Sequence, residues 1–280
     1  MTSSKRAFGL ALFIMGLMWG MSCYAEAGEV EKPAEPTSPP QAIERVMPED
    51  LSANLSTAFY SKYVWRGLEL SKDSLVIFPS LTVGYKGFAV NVWMDLDTRY
   101  GNPPPGEDKE FNLQETDLTL SYANRVESLQ LDYTVGWVYY DTDGFYGDTS
   151  TSNQELFAIL ALDVPLTPTL SVYNEIETGQ AWYTSLSLSQ DFDVYKDWSM
   201  EAGGWVSYYY NKSTEDFSAL HDGNLWVGLT IPLDRYFSVT PMIHYSFPLS
   251  SDARDRIQEN SFNGRDDQFF YGGITFELNF

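Results

Sequence analysis

Cysteine is almost absent from this chain, because its 280 residues include one, Cys23. A single cysteine excludes an intramolecular disulfide and a metal site built from several thiolates. Basic residues are also scarce: 17 Lys and Arg stand against 39 Asp and Glu, which gives a formal net charge of -22. That balance excludes a protein that binds the phosphate backbone of nucleic acid through a basic surface.

A hydrophobic run long enough for a membrane-spanning helix is missing as well. The apolar stretch 7–21 follows Lys5 and Arg6, and it falls short of the roughly 20 residues that a spanning helix needs. Small residues, including Ala25 and Ala27, then stand where a signal peptidase cuts. We predict a cleaved secretory signal peptide over 1–25, in preference to an N-terminal membrane anchor or a lipoprotein acylated at Cys23.

Residues 26–50 are rich in Glu and Pro and poor in apolar side chains. Such a segment cannot bury a core, so it is predicted to be an extended periplasmic linker.

Aromatic residues, by contrast, are abundant, with 8 Trp, 19 Tyr and 17 Phe. From Leu51 to the end, apolar residues alternate with polar or small ones at a period of two. In the segment 88–97, for example, Phe88, Val90 and Val92 alternate with residues such as Asn91. This period indicates β-strands with one apolar face, and about twelve such segments follow one another.

The connections between these segments alternate in length. Short ones such as Lys86-Gly87 alternate with long ones such as 99–110, 141–153 and 211–222, and the short connection at Thr178-Gly179 is the exception. Long apolar-faced strands, short turns on one side and long loops on the other are typical of a transmembrane β-barrel. We therefore predict an all-β fold over 51–280, a transmembrane antiparallel barrel of about 12 strands, rather than a soluble β-sandwich.

The last strand ends in Phe276-Glu277-Leu278-Asn279-Phe280. An alternating C-terminal strand with a terminal Phe resembles the segment that the outer-membrane assembly machinery recognises. Together with the leader, it predicts a bacterial outer-membrane protein with lipid and lipopolysaccharide as its surroundings, its turns in the periplasm and its loops outside.

Acidic residues in the predicted loops have two interpretations. They are either solvated or in contact with divalent cations that bridge lipopolysaccharide phosphates. Asp141-Thr142-Asp143-Gly144 begins like a calcium loop, but the spacing of oxygen ligands does not continue, so no metal and no cofactor is predicted. The loop acids are Glu107, Asp108, Asp141, Asp143, Asp148, Asp252, Asp255, Asp266 and Asp267.

Alternation along the strands also assigns the residues that face the barrel interior. Acids outnumber bases there, and carboxylates in a low-dielectric tube attract cations and repel anions. The sequence therefore predicts a cation-preferring pore, with Asp95, Asp97, Glu115 and Asp117 as its selectivity residues. The alternative is that Lys62 and Arg66 pair with nearby acids and plug the barrel. The predicted interior acids are Asp95, Asp97, Glu115, Asp117, Asp132, Asp163, Glu175 and Glu201, and the bases are Lys62, Arg66 and Arg99.

The tripeptide His244-Tyr245-Ser246 brings a histidine and a serine onto one face of a predicted strand. This spacing resembles the His-x-Ser of outer-membrane lipid hydrolases, in which serine is the nucleophile and histidine its base. Those enzymes present the pair to the membrane, whereas alternation here turns it inward. A polar pair in the interior is therefore the preferred interpretation. His221 is predicted to lie in a loop without a metal partner.

The segment 58–68, with Trp65-Arg66-Gly67 at its end, resembles the start of a proteobacterial family of exported outer-membrane barrels, the TorF-type porins. The likeness extends over roughly 51–97 and implies a porin-like role without a defined substrate. In this interpretation Trp65 lies at the membrane interface, Gly67 permits a positive φ, and Arg66 pairs with a neighbouring carboxylate.

The sequence thus predicts a channel, not an enzyme, for the passive diffusion of small cationic or neutral solutes. A lipid hydrolase using His244 and Ser246, and a structural or adhesive barrel with a plugged interior, are the two alternatives.

Overall fold

The computed structural model describes residues 50–71, 74–99, 111–142, 151–177, 179–212, 216–262 and 264–280. The predicted signal peptide and nearly all of the predicted linker lie outside these ranges. The elements are β1 (Leu51–Tyr60), β2 (Val64–Trp65), β3 (Leu68–Glu69), β4 (Val76–Tyr85), β5 (Phe88–Asp97), β6 (Asn112–Val126), a 3-10 turn (Glu127–Leu129), β7 (Leu131–Thr142), β8 (Thr151–Leu162), β9 (Thr169–Glu175), β10 (Ala181–Tyr195), β11 (Trp198–Asn211), β12 (Phe217–Pro232), β13 (Phe237–Pro248), α1 (Ser251–Asn260) and β14 (Phe269–Asn279).

Twelve strands, β1 and β4 to β14, form one closed antiparallel barrel, in which each strand pairs with its neighbours along the chain. The barrel closes where β1 pairs with β14, with Leu55 opposite Leu278 and Thr57 opposite Phe276. Closure gives every strand two partners, so the sheet has no free edge. The predicted fold class is confirmed.

Side chains alternate between the two faces of the wall, as the sequence pattern predicts. On β5, Phe88 and Val90 are exposed on the outer surface, whereas Asn91, Trp93 and Asp95 are buried in the interior. The outer face is apolar around the whole barrel, as a lipid-facing surface requires. None of the helices in the described ranges has the length and apolar character that crossing a membrane demands.

The two ends of the barrel differ. At one end, here called the turn end, β4 and β5 are joined by Lys86 and Gly87, both at positive φ. At the other end, the loop end, β1 and β4 are separated by residues 61–75 (loop 1), and β13 and β14 by residues 249–268 (loop 6). Loop 1 contains the small hairpin β2–β3, and loop 6 contains α1.

The predicted loop 211–222 is wrong for its second half. Strand β12 begins at Phe217, and the register with β11 shifts between Val206 and Tyr208. This bulge turns His221 and Asp222, which are adjacent in sequence, both into the interior. A bulge adds one residue to a strand and breaks the alternation there, which is why the sequence pattern suggested a loop.

The interior is less polar than the sequence pattern predicts. A cluster of buried apolar and aromatic side chains, from strands β5 to β10, lies inside the wall. The same alternation that places the acids on the inner face also places these apolar and aromatic residues there. The barrel is therefore partly filled by packed side chains. The cluster comprises Ala89, Ala123, Val138, Tyr140, Phe157, Ile159, Tyr173 and Tyr183, with Tyr209 packed against it.

Candidate functional site

Loop 1 folds into the loop end of the barrel with Arg66 at its tip. Strands β2 and β3 pair through Val64 with Glu69 and Trp65 with Leu68, which leaves Arg66 and Gly67 as a two-residue turn. Both turn residues have positive φ, 47° and 79°. A turn with positive φ at both central positions matches the twist of a tight hairpin. The predicted positive φ at Gly67 is confirmed.

The Arg66 side chain forms a buried bidentate ion pair with Glu155 of β8. Its Nη1 donates to Glu155 Oε1 over 2.8 Å and its Nη2 donates to Oε2 over 2.6 Å. The phenol of Tyr140 also donates to Glu155 Oε2, over 2.8 Å. Burial lowers the pKa of the Arg66 guanidinium, but Glu155, together with Tyr140 and Tyr183, raises it by more, so the pKa lies above its ordinary value and the charge is retained.

Aromatic rings surround the same guanidinium. Its Cζ lies 4.4 Å from the ring centre of Trp65, 5.1 Å from that of Tyr173 and 4.5 Å from that of Tyr183. Cations are attracted to ring faces at these distances. We call Glu155, Tyr140, Tyr173 and Tyr183 the guanidinium box, and all four belong to the barrel wall.

These contacts correct three predictions about loop 1. Arg66 pairs with a carboxylate on β8, far from β1 in the strand order, and not with a neighbouring acid. Trp65 lies inside the barrel, with its ring 6.3 Å from that of Tyr140, and not at the membrane interface. Lys62 forms an ion pair with Glu69 within loop 1, whereas the sequence pattern suggests acids of β5 as its partners.

The backbone of the turn is held by β12 and α1. The carbonyl of Arg66 lies 3.0 Å from Nε2 of His221, and a Cβ added at Gly67 would lie 2.9 Å from Cβ of Asp222 and 3.0 Å from Cδ1 of Ile257. Ile257 of α1 is fully buried. Loop 1 is therefore packed between the wall and the helix.

Asp222 is itself well satisfied. It accepts from the phenol of Tyr183 over 2.9 Å, from the hydroxyl of Ser207 over 2.6 Å and from Nε1 of Trp205 over 3.0 Å. Tyr183 thereby links the carboxylate of Asp222 to the ring face that contacts Arg66. These donors hold the aromatic wall of the box in place.

Loop 6 covers loop 1 from outside. The backbone N–H of Glu69 donates to the hydroxyl of Ser261 over 3.1 Å, and the N–H of Phe262 donates to the carbonyl of Glu69 over 2.8 Å. Helix α1 begins after Ser250, whose hydroxyl accepts from the N–H of Ala253 over 3.1 Å. The two loops are therefore hydrogen-bonded to each other at the loop end.

Three buried carboxyls, Asp95, Glu115 and Asp117, form what we call the acid group. Asp95 lies directly opposite Glu115 on the neighbouring strand. The phenol of Tyr63 donates to Glu115 Oε2 over 2.8 Å. Burial raises the pKa of the Tyr63 phenol well above its ordinary value, and the acid group raises it further, so Tyr63 remains a donor.

The acid group has no cationic partner among the described residues. Within those ranges, both carboxylate oxygens of Asp95 and Oδ1 of Asp117 also lack a hydrogen-bond partner. Asp95 is 1% exposed and Asp117 is 3% exposed. No set of three or more His, Cys, Asp or Glu side chains in the described part of the chain is arranged to hold a metal ion.

The other predicted interior residues are dispersed. Asp97 is buried beside the acid group and accepts from the backbone N–H of Arg99 over 2.8 Å, while the Arg99 side chain is exposed. Glu175 is buried opposite Glu155. Glu201 lies near the turn end and accepts from Nε1 of Trp226 over 2.8 Å. Their role in lining a pore stays a prediction.

Asp132 and Asp163 belong to a separate ion-pair group at the turn end. Arg125 donates to Asp132 over 3.1 Å and to Asp163 over 2.6 Å, and it also contacts the exposed Glu127. These two acids are therefore compensated, unlike the acid group.

His244 and Ser246 both face the interior. His244 stacks on Tyr271 with ring centres 4.9 Å apart, and its Nδ1 lies 3.3 Å from Oδ1 of Asn224. No hydrogen bond joins His244 to Ser246 in the described structure. His221, predicted in a loop, is instead buried in β12 against Arg66 and the ring of Tyr209.

Two important residues were missed by the sequence analysis. Glu155 precedes the outward-facing Leu156 on β8, so the alternation that identified Asp95 also places Glu155 inside. Asp222 carried no such signal, because the bulge in β12 disrupts the period at that point.

No protein-family model and no curated protein matches this sequence. Among solved structures, the chain is similar to the COG4313 outer membrane channel from Pseudomonas putida F1, with 11% identity over 87% of this chain and 100% of that chain and a TM-score of 0.50. The KdgM porin in complex with disordered oligogalacturonate has 10% identity over 82% and 99% of the two chains and a TM-score of 0.47. The Salmonella typhi outer membrane phospholipase dimer with bound calcium has 14% identity over 86% and 94% and a TM-score of 0.44. At these identities the likeness to the COG4313 channel shows the fold, a closed antiparallel barrel of the outer-membrane type, and the TorF-type resemblance stays a prediction.

Proposed function

We propose that this protein is an outer-membrane channel through which small cationic or neutral solutes diffuse passively. The observation that carries the proposal is the acid group: buried carboxyls on the inner face of a closed barrel, with no compensating base among the described residues. Such carboxyls favour cations along the interior and disfavour anions. The resemblance of segment 58–68 to TorF-type porins and the signal-peptide pattern support the same role and the outer-membrane location.

The apolar outer surface and the terminal Phe280 support the expected partners. These are outer-membrane lipid with lipopolysaccharide, and the assembly machinery that inserts the barrel. The small solutes themselves are the third class of partner.

Loop 1 favours a channel that is narrow at rest. Its hairpin occupies the loop end of the barrel and is fixed at both its side-chain and backbone atoms. The same hairpin also favours the alternative of a plugged structural or adhesive barrel, and conductance separates the two.

The lipid-hydrolase alternative has less support. A serine nucleophile needs a base within hydrogen-bonding reach and access to its substrate. His244 is instead stacked on Tyr271 and bonded to Asn224, and both His244 and Ser246 are buried inside the barrel.

The test is planar-bilayer conductance of the purified mature protein in a KCl gradient. We expect discrete openings with a cation-selective reversal potential, and a weaker selectivity when Asp95→Asn and Asp117→Asn are combined. Asp132→Asn is the matched control, because that acid is paired with Arg125. Absence of current from the wild type and from variants without Arg66 would favour the plugged barrel, and lipid hydrolysis lost in Ser246→Ala would favour the enzyme.

A further inference from the structure

A two-residue turn at the tip of loop 1 carries Arg66 at φ 47°. Turns with positive φ at both positions favour Asn or Gly, because a Cβ is strained there. The chain nevertheless tolerates a long basic side chain at such a position, since Lys86 has φ 51° in the turn Lys86-Gly87. What distinguishes Arg66 is therefore the set of contacts that its side chain makes inside the barrel.

Those contacts are the ones that distinguish a guanidinium from an ammonium. A planar guanidinium presents parallel N–H groups that match both oxygens of a carboxylate, and it also stacks on aromatic rings. Glu155 supplies both oxygens at 2.8 and 2.6 Å, and Tyr173 and Tyr183 supply ring faces. An ammonium group would use only part of this geometry.

The guanidinium box does not depend on loop 1 for its shape. The Glu155 carboxylate is fixed by the phenol of Tyr140, and Tyr183 is fixed by its bond to Asp222. Of the three rings described against the guanidinium, Trp65 belongs to the hairpin, and Tyr173 and Tyr183 belong to the wall. A wall that keeps this arrangement presents a preformed receptor when the hairpin withdraws.

Carboxyl groups continue from the box toward β5. Asp117 lies opposite Tyr140 on the neighbouring strand, and Glu115 and Asp95 follow beyond it. A solute with a second positive group would therefore meet the acid group next to the box.

We infer that the guanidinium box is a binding site for solutes that carry a guanidinium group, that Arg66 occupies this site in the resting barrel, and that such a solute exchanges with Arg66. The inference rests on the proposed channel function, since it names the class of cation that the channel prefers. Exchange leaves Glu155 paired throughout, so a guanidinium solute displaces the hairpin without leaving a buried carboxylate alone.

Chemical rescue of Arg66→Ala tests this inference. The probes are L-argininamide and L-lysinamide, which both carry two positive charges and differ in the terminal group. A ligand that binds the folded state raises the Tm. We expect L-argininamide to raise the Tm of Arg66→Ala at concentrations about tenfold lower than L-lysinamide requires. The wild type, whose box is occupied, should respond much less.

Two variants serve as controls. Arg66→Ala combined with Glu155→Gln removes the carboxylate and should lose the preference for L-argininamide. Arg254→Ala removes an exposed Arg of α1 that pairs with Asp267 outside the box, and it should behave as the wild type. Equal effects of the two amides on Arg66→Ala, or a preference that survives Glu155→Gln, would overturn the inference.

A poorly folding Arg66→Ala does not prevent the test. Refolding yield with each amide then replaces the Tm, and Arg66→Lys provides a second variant that keeps the charge without the planar geometry. A preference for L-argininamide in either readout supports the inference, and its absence in both overturns it.

Conductance separates this inference from the proposed function. We expect Arg66→Ala to pass current that L-argininamide reduces at about tenfold lower concentration than L-lysinamide. Selective rescue without current in any variant would refute the channel and retain the binding site. Current without selective rescue would refute the binding site and retain the channel.

Discussion

Gly67 lies so close to Asp222 that a methyl carbon on its Cα would be 2.9 Å from the Cβ of Asp222. The turn of loop 1 therefore fits against β12 only because residue 67 has no side chain. Asp222 cannot move away easily, since three donors from β10 and β11 hold its carboxylate.

Gly67→Ala should displace the tip of loop 1 and raise conductance. The positive φ alone costs an alanine about 1–2 kcal/mol, and the contact with Asp222 adds to it. Gly264→Ala is the matched control, because Gly264 has φ 63° and nothing within 4 Å of an added Cβ. Single-channel recording measures the conductance, and unfolding in urea measures the loss of stability. Equal conductance of the two variants would show that the contact with Asp222 does not hold the loop.

Glu155→Gln should destabilise the protein strongly. It leaves the Arg66 charge buried without its partner, which costs about 3–5 kcal/mol in comparable buried pairs. Glu127→Gln is the control, because the Glu127 side chain is 83% exposed and its ion pair with Arg125 is accessible to solvent. We expect that variant to lose at most about 1 kcal/mol. Equilibrium unfolding in detergent micelles measures both, and similar losses would mean that the Arg66 pair is not buried in solution.

Neutralising Asp95 and neutralising Asp132 should change stability in opposite directions. Asp95 is buried without a hydrogen-bond partner in the described structure. Its carboxyl is ionised in the unfolded chain at neutral pH, so folding must either bury the charge or protonate the group, and both cost free energy. Asp95→Asn removes this cost and should raise the unfolding free energy by about 1–3 kcal/mol. Asp132→Asn breaks the pair with Arg125 and should lower it by up to about 1 kcal/mol. The same sign for both variants would contradict the distinction between uncompensated and compensated acids.

Asp234 should contribute stability that depends on pH. Its Oδ1 accepts from the backbone N–H groups of Tyr236 and Phe237 over 2.7 and 2.8 Å, and these bonds hold the pKa of Asp234 below its ordinary value of 3.8. A carboxyl with a lowered folded-state pKa stabilises the fold above its unfolded-state pKa, and this contribution is lost as the pH falls through the folded value.

Asp234→Ala should therefore be less stable than the wild type at neutral pH, and the difference should shrink below about pH 4. Asp197→Ala, in the turn between β10 and β11, is the control. Unfolding midpoints recorded across this range test the prediction, and a difference that stays constant with pH would refute it.

The wall of the barrel could be predicted from sequence because alternation is a local property. The residues next to Val90 and Asn91 in the sequence are enough to predict which of the two faces the lipid and which the interior. The exposed and buried sides of β5 agree with this prediction. Asp95, Glu115 and Asp117 were placed inside for the same reason. The strand count follows from the spacing of these patterns.

The arrangement around Arg66 could not be predicted in that way. Its partner Glu155 lies on β8, and no local pattern reports which strand a loop touches after it folds inward. Asp222 was missed because a bulge disrupts the alternation there. The long loop 6 was predicted but its helix α1 was not, although Ala253 and Ile257 have the spacing of one buried helix face. Contacts between distant parts of the chain determine the site.

The pairing of β1 with β14 also sets the order of events when the barrel forms. Thr57 and Leu55 of the first barrel strand pair with Phe276 and Leu278, which are synthesised only after the other barrel strands. Until Phe269–Asn279 is in place, the sheet has two open edges, which attract other unpaired strands. A truncated chain that lacks this strand therefore cannot close the barrel. It forms an open sheet, and its unpaired edges make it prone to aggregate before it reaches a membrane.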